Sequence, residues 1–149
     1  MSLKNYTSSG RNTFDKIQNI LSMHGANKVM FDYKEGKVIA ITFSLEIQGK
    51  TMGFRLPALV ENVEQILYGG KKKSKYSSEF KEITDAQREQ AYKTAWANIR
   101  DWIDAQLALV ATQQVKIHHV FLPFLIMKGG NTLAETIESN PSFLLGDGK

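Results

Sequence analysis

The 149-residue chain has no cysteine. A disulfide framework and a thiolate metal site are therefore excluded. Proline is scarce as well, at three residues, so few positions are barred from a helix or a strand ladder. No run of ~18 apolar residues occurs, as a membrane-spanning helix requires. The start, MSLKNYTSSGRNTF, holds no apolar stretch before Phe14 and lacks the pattern of a secretory signal. Nucleotide-loop, dinucleotide and serine-hydrolase fingerprints are missing too.

The titratable residues add little chemistry. His118 and His119 are adjacent, so they lie ~100° apart on a helix, whereas two ligands of one metal want i, i+4 spacing. His24 sits beside a helix stop and reads as a cap or surface residue. Asp101 and Asp104 have a spacing able to hold Mg²⁺. Arg100 is placed to pair with Asp104, and a solvated helix face is the better account. The expectation is no metal, no cofactor and no catalytic constellation, hence a non-enzyme.

What is present suits one compact domain spanning 1–149. The hydrophobic fraction is 42%, the net charge +4 and the sequence pI about 9.2. Residues 1–10 and 140–149 read as loose ends, and 69–82 as a flexible basic loop. Phe14, Ile17, Ile20 and Leu21 fall at helical spacing, with Asn12 or Thr13 as cap and Gly25 as stop. Three alternating runs follow. Val29, Phe31 and Tyr33 share one side of the first. Ile39, Ile41, Phe43, Leu45 and Ile47 share one side of the second, and Met52, Phe54 and Leu56 one side of the third. Turn signals at Lys34-Glu35-Gly36-Lys37 and Gln48-Gly49-Lys50 separate them, so the runs predict an antiparallel meander. Thr51, Gly53 and Arg55 belong to its polar face. With one greasy and one polar face, helices are expected on one side only. Leu59, Val63, Ile66 and Leu67 predict a helix after Pro57, stopped by Gly69-Gly70.

The dominant element is a helix from about Asp85 to Ala111, opened by a capping box of Thr84 and Gln87. At 1.5 Å per residue it is ~40 Å long, about the width of a globule of this size. Tyr92, Ala95, Trp96, Ile99, Trp102, Ile103, Leu107 and Val110 form a wide apolar stripe. Both tryptophans read as core packed on the sheet, with a stacking role as the alternative. Gln106 lies ~20° from the centre of the stripe, where an unpartnered amide costs on the order of 1–3 kcal/mol. It reads as a bonded core glutamine, or as a polar contact in a subunit interface or a ligand site. The helix breaks at Thr112-Gln113-Gln114. A short helix is expected from Val115 to Leu122, ended by Pro123 and followed by the apolar run Phe124 to Met127. Gly129-Gly130 turns the chain, and Thr132 with Glu135 predicts a second capping box. Gly129-Gly130-Asn131-Thr132 reads as a plain turn and cap, or as an anion cradle. The fold class expected is α+β: a three-stranded antiparallel meander with helices packed on one face, dominated by one long helix.

Two surfaces are candidates for function. Lys71, Lys72, Lys73, Lys75 and Lys81 concentrate positive charge around Tyr76, a composition that suits single-stranded nucleic acid. Arg55 on the polar sheet face is placed to assist. The other candidate is an interface between protein chains, made by Gln106 and the greasy segment holding Phe121 and Phe124.

The stretch AYKTAWANIRDWIDAQLALV, followed by VFLPFLI and GGNTLAET, resembles a diffuse family of small phage and prophage proteins. The shared pattern is a helix with a spaced tryptophan pair ending in Ala-Gln-Leu, then Phe-Leu-Pro. Here it falls on Trp96, Trp102, Ala105, Gln106, Leu107, Phe121, Leu122 and Pro123, and the likeness covers most of residues 14–138. It implies a phage or integrated-element origin and action in the cytoplasm of a bacterial host, and brings no chemistry. The helix–meander–helix order also resembles the core of single-strand annealing proteins. None of their motifs matches residue by residue, so no site residue is carried over. The expected function is a non-enzymatic nucleic-acid-binding accessory protein. The alternative is a protein–protein or assembly module acting as an oligomer.

Overall fold

The structure, a computed structural model, describes residues 3–69 and 82–143. The fold is α+β. Helix α1 (Leu3–Met23) leads into strands β1 (Lys28–Lys34), β2 (Lys37–Ile47) and β3 (Lys50–Pro57). Helix α2 (Val60–Tyr68) and the long helix α3 (Asp85–Ala111) follow, then the short helices α4 (Ile117–Val120) and α5 (Leu133–Ser139). Single 3-10 turns lie at Leu122–Phe124 and Pro141–Phe143. No helix among the described residues is long and apolar enough to cross a membrane.

The residues group into two compact units, where the sequence reads as a single domain. One unit takes Met1–Lys16 with Ala58–Trp102, the other Ile17–Pro57 with Ile103–Lys149. Two of its three crossing points fall inside α1 and α3, and the third falls at Pro57 and Ala58, between β3 and α2.

The first unit is organised by aromatic packing. Phe14 meets Trp96 edge-on at 5.1 Å and Tyr92 at 6.4 Å. Ala91, Tyr92, Ala95 and Trp96 are buried. The Thr84–Gln87 capping box forms as expected, each residue's backbone N–H donating to the other's side chain. Arg88 reaches Glu64 of α2 at 3.7 Å. Helix α1 begins at Leu3, well before the expected cap at Asn12 or Thr13, and so includes most of the 1–10 stretch read as loose. Once an amphipathic segment is anchored, propagation into a proline-free polar stretch is nearly free, although Gly10 costs about 1 kcal/mol.

The second unit is built on the sheet, in the order β1-β2-β3. Both turns have two central residues with positive φ, Glu35 and Gly36 in one, Gln48 and Gly49 in the other. These are the hairpin turns whose twist matches that of the strands. The resulting register places Val29, Phe43 and Phe54 in one row and Phe31, Ile41 and Leu56 in the next. Phe43 and Phe54 stack at 5.5 Å, and Phe121 closes on them at 5.0 and 6.3 Å. Ile17, Leu21, Ile103 and Leu107 are also buried in this unit. Helix α1 stops where expected. Gly25 takes φ +100, and the Ala26 N–H reaches back to the Leu21 carbonyl.

Alternation fails at one end of β2. Tyr33 pairs with Val38 and Asp32 with Ala40, so Ile39 is the extra residue of a bulge. Val38 is buried in the place expected for Ile39, and Ile39 is exposed. Helix α4 is shorter than the helix expected from Val115 to Leu122. Pro123 does not end it but sits in the first turn of the 3-10 segment, where its missing N–H is harmless. The α3 break occurs at Gln113, a non-glycine at φ 62.

Phe121 is fully buried in the aromatic cluster. Phe121→Ala is therefore expected to lower stability by about 3–5 kcal/mol in urea denaturation. A loss under 1 kcal/mol accompanied by weaker self-association would instead restore it to an interface.

Candidate interaction surfaces

Lys71, Lys72, Lys73, Lys75 and Lys81, with Tyr76, lie outside the described residues. Arg55, the sixth basic candidate, is engaged within its own unit. Its guanidinium donates to the Gly130 carbonyl at 2.6 Å and meets the Glu135 carboxylate at 3.4 Å. The segment it holds runs along β3. The Ile126 N–H donates to the Gly53 carbonyl, Leu125 bridges Phe54, and Ile126 bridges Thr132. A Cβ on Gly53 would lie 3.4 Å from the Ile126 side chain. The residue is thus a close-approach glycine on the polar face, which this segment partly covers.

Thr132 and Glu135 form the expected capping box at the start of α5. Gly129 and Gly130 both take positive φ in the turn before it. Backbone and side-chain hydrogen bonds from Thr132, with Arg55 adding to them, hold the Glu135 carboxyl below its ordinary value. A carbonyl bonded to a guanidinium contributes about 1.5–3 kcal/mol in general, and an exposed ion pair at most about 1. The Gly130 carbonyl is therefore the stronger half of this clasp.

The interface candidates separate. Phe121 is core, as above. Phe124 is half-buried in the 3-10 turn, and its N–H donates to the Phe121 carbonyl. Gln106 is half-buried, not central to a buried stripe. The reason is a drift of the buried face along α3. Ile103 and Leu107 lie ~40° and ~80° to one side of Ile99, whereas Gln106 lies ~20° and Trp102 ~60° to the other. Trp102, read as core, is accordingly 36% exposed, while Trp96 is buried. Among the described residues, the buried side-chain polar atom with no partner is Ser44 Oγ, not the Gln106 amide.

His24 Nδ1 lies 2.8 Å from the Ile20 carbonyl at the end of α1. The His118 and His119 rings touch edge-on at 4.5 Å. Desolvation first, then His119 and Lys116, lower the His118 pKa. Arg100 pairs with its neighbour Asp101 at 3.1 Å rather than with the expected Asp104. No cluster of three metal-ligating side chains exists among the described residues.

A surface that the sequence reading passed over is the apolar side of α2. That helix has no buried residue. Ile66 is 82% exposed, Leu59 60% and Leu67 40%. Their spacing was legible, but it reads the same for a core-facing helix and for an open one. On the sheet, β1 is an edge strand, with Met30 and Tyr33 exposed.

The Glu135 shift carries a pH signature. A carboxyl whose folded pKa is depressed adds stability that is complete above its ordinary value of 4.5 and is lost as pH falls through the folded value. Glu135→Gln keeps an acceptor for the Thr132 N–H but removes the charge. The variant is expected to be less stable than the parent at pH 7, with the gap narrowing as the pH falls below 4.5, followed by urea denaturation. A gap independent of pH would disprove the ionic contribution.

No protein-family model matches the chain, and no curated protein or solved structure matches it either.

Proposed function

We propose that the chain is a non-enzymatic assembly module that acts by self-association, in the phage or prophage setting that its sequence resemblance suggests. The observation that carries this reading is the exposure of Leu59, at the N-cap of α2, and of Ile66 and Leu67 on that helix, which has no buried residue. Fully burying such a side chain is worth about 1.5–3 kcal/mol. Counting only the fractions still exposed, the three from each of two copies give on the order of 5–11 kcal/mol before losses. Association costs roughly 4–15 kcal/mol. The balance fits a weak, concentration-dependent oligomer, and most soluble oligomers are symmetric assemblies of one chain. Light scattering is expected to show mass rising through the micromolar range, and Ile66→Glu to lower the mass reached, with folding intact by circular dichroism. A strict monomer over that range rejects the reading.

The charge run Lys71–Lys75 favours a second reading, binding to single-stranded nucleic acid. Arg55 is left out of it, because the Gly130 carbonyl and Glu135 already occupy its guanidinium. Fluorescence anisotropy at 50 mM salt is expected to detect a labelled single strand. Replacing Lys71, Lys72, Lys73 and Lys75 by alanine is expected to weaken binding at least tenfold. Binding unchanged by that replacement would refute it.

A further inference from the structure

The two edges of the sheet are treated differently. The β3 edge is closed by Leu125, which bridges Phe54, and by the Ile126 N–H on the Gly53 carbonyl. The β1 edge has no strand or bridge beside it among the described residues. An open edge of seven residues is a template for another strand. Edge strands are usually defended by proline, by a bulge of their own or by charge. Here β1 has no proline, and the extra residue of the bulge lies on β2.

We infer that β1 pairs antiparallel with β1 of a second copy, in a register centred on Met30. The inference rests on the self-association reading above and names a contact separate from α2. The strand reads Lys28-Val29-Met30-Phe31-Asp32-Tyr33-Lys34. A two-fold axis keeps each face of the sheet continuous, so one residue must face its own copy. Centring on Phe31 puts Lys28 opposite Lys34 twice. Centring on Asp32 puts two carboxylates face to face. Like charges directly opposite one another destabilise a sheet. Centring on Met30 sets Lys28 against Asp32 twice and Met30 against Met30 on one face. On the other face it sets Val29 against Phe31. The Asp32 carboxylate is held on the charged face by the Thr42 hydroxyl at 3.1 Å. Met30 is 55% exposed, and Val29 and Phe31 are half-buried, so each has surface left to cover. Centring on Tyr33 also opposes unlike charges, Asp32 and Lys34, but overlaps only three residues of the strand. Among registers overlapping five or more, the charges of β1 thus select the one centred on Met30.

The chain has no cysteine, so a single introduced thiol reports directly on the contact. Directly opposed Cβ atoms lie about 4.5–5.5 Å apart, close enough for a disulfide with a small adjustment. Met30→Cys, mildly oxidised at micromolar concentration, is expected to give a covalent dimer on a non-reducing gel. Tyr33→Cys, at a more exposed position than Met30 but about 20 Å from its copy in this register, is expected to give at least tenfold less. In the Met30→Cys background, Lys28→Asp or Asp32→Lys alone is expected to cut the yield several-fold, and the two together to restore it. Circular dichroism confirms that each variant is folded. Equal crosslinking at Tyr33→Cys, or no rescue by the double exchange, overturns the register. If light scattering still shows association that Ile66→Glu reduces, the self-association reading survives that result. A monomer in every experiment removes both.

Discussion

The two-residue turn at Gln48 and Gly49 decides which residues of β2 and β3 face each other, and the packing of the sheet unit follows from it. With Ile47 opposite Lys50, Phe43 is brought opposite Phe54 and Ile41 opposite Leu56. A slip of one residue would turn each of these side chains to the other face. The stacked Phe43–Phe54 pair then presents a flat apolar surface that Phe121 closes edge-on. Phe121 cannot take that place unless the chain after α3 returns to the sheet. The route of residues 115–135 is thus a consequence of the strand register.

The return also explains the asymmetry of the sheet. Leu125 and Ile126 occupy the β3 edge, and the Gly129-Gly130 turn brings the Gly130 carbonyl within reach of Arg55. A basic side chain that looks available from alternation is consumed in fixing this segment. The same return leaves β1 as the outer strand. On the polar sheet face the Arg55 guanidinium is already bonded, whereas Met30 of β1 and Ile66 of α2 stay exposed.

Much of the fold was legible in local patterns. Both hairpin turns, both capping boxes, the bounds of α3 and the stop at Gly25 follow from turn chemistry and helix-end hydrogen bonding, which act over a few residues. Features that depend on distant partners were not legible. Ile39 looks like the best core residue of its run, yet the bulge gives its place to Val38. Trp102 and Gln106 fall within a stripe drawn on an ideal helix, but the buried face of α3 drifts away from them. Phe121 looks like a surplus apolar residue because the cluster that receives it lies more than sixty positions earlier in the chain.

The sequence by itself determined the α+β class, the element order and the absence of cysteine chemistry, since periodicity, turn residues and composition are local properties. The tertiary structure alone decided which apolar residues are covered. Leu59, Ile66 and Leu67 carry the same helical spacing as a core face, and only their exposure in the folded chain marks them as surface. Arg55 carries the same charge as any solvent-facing arginine, and only the arrival of Gly130 and Glu135 makes it a clasp. Burial and partnership are relations between distant segments, and no window of neighbouring residues contains them.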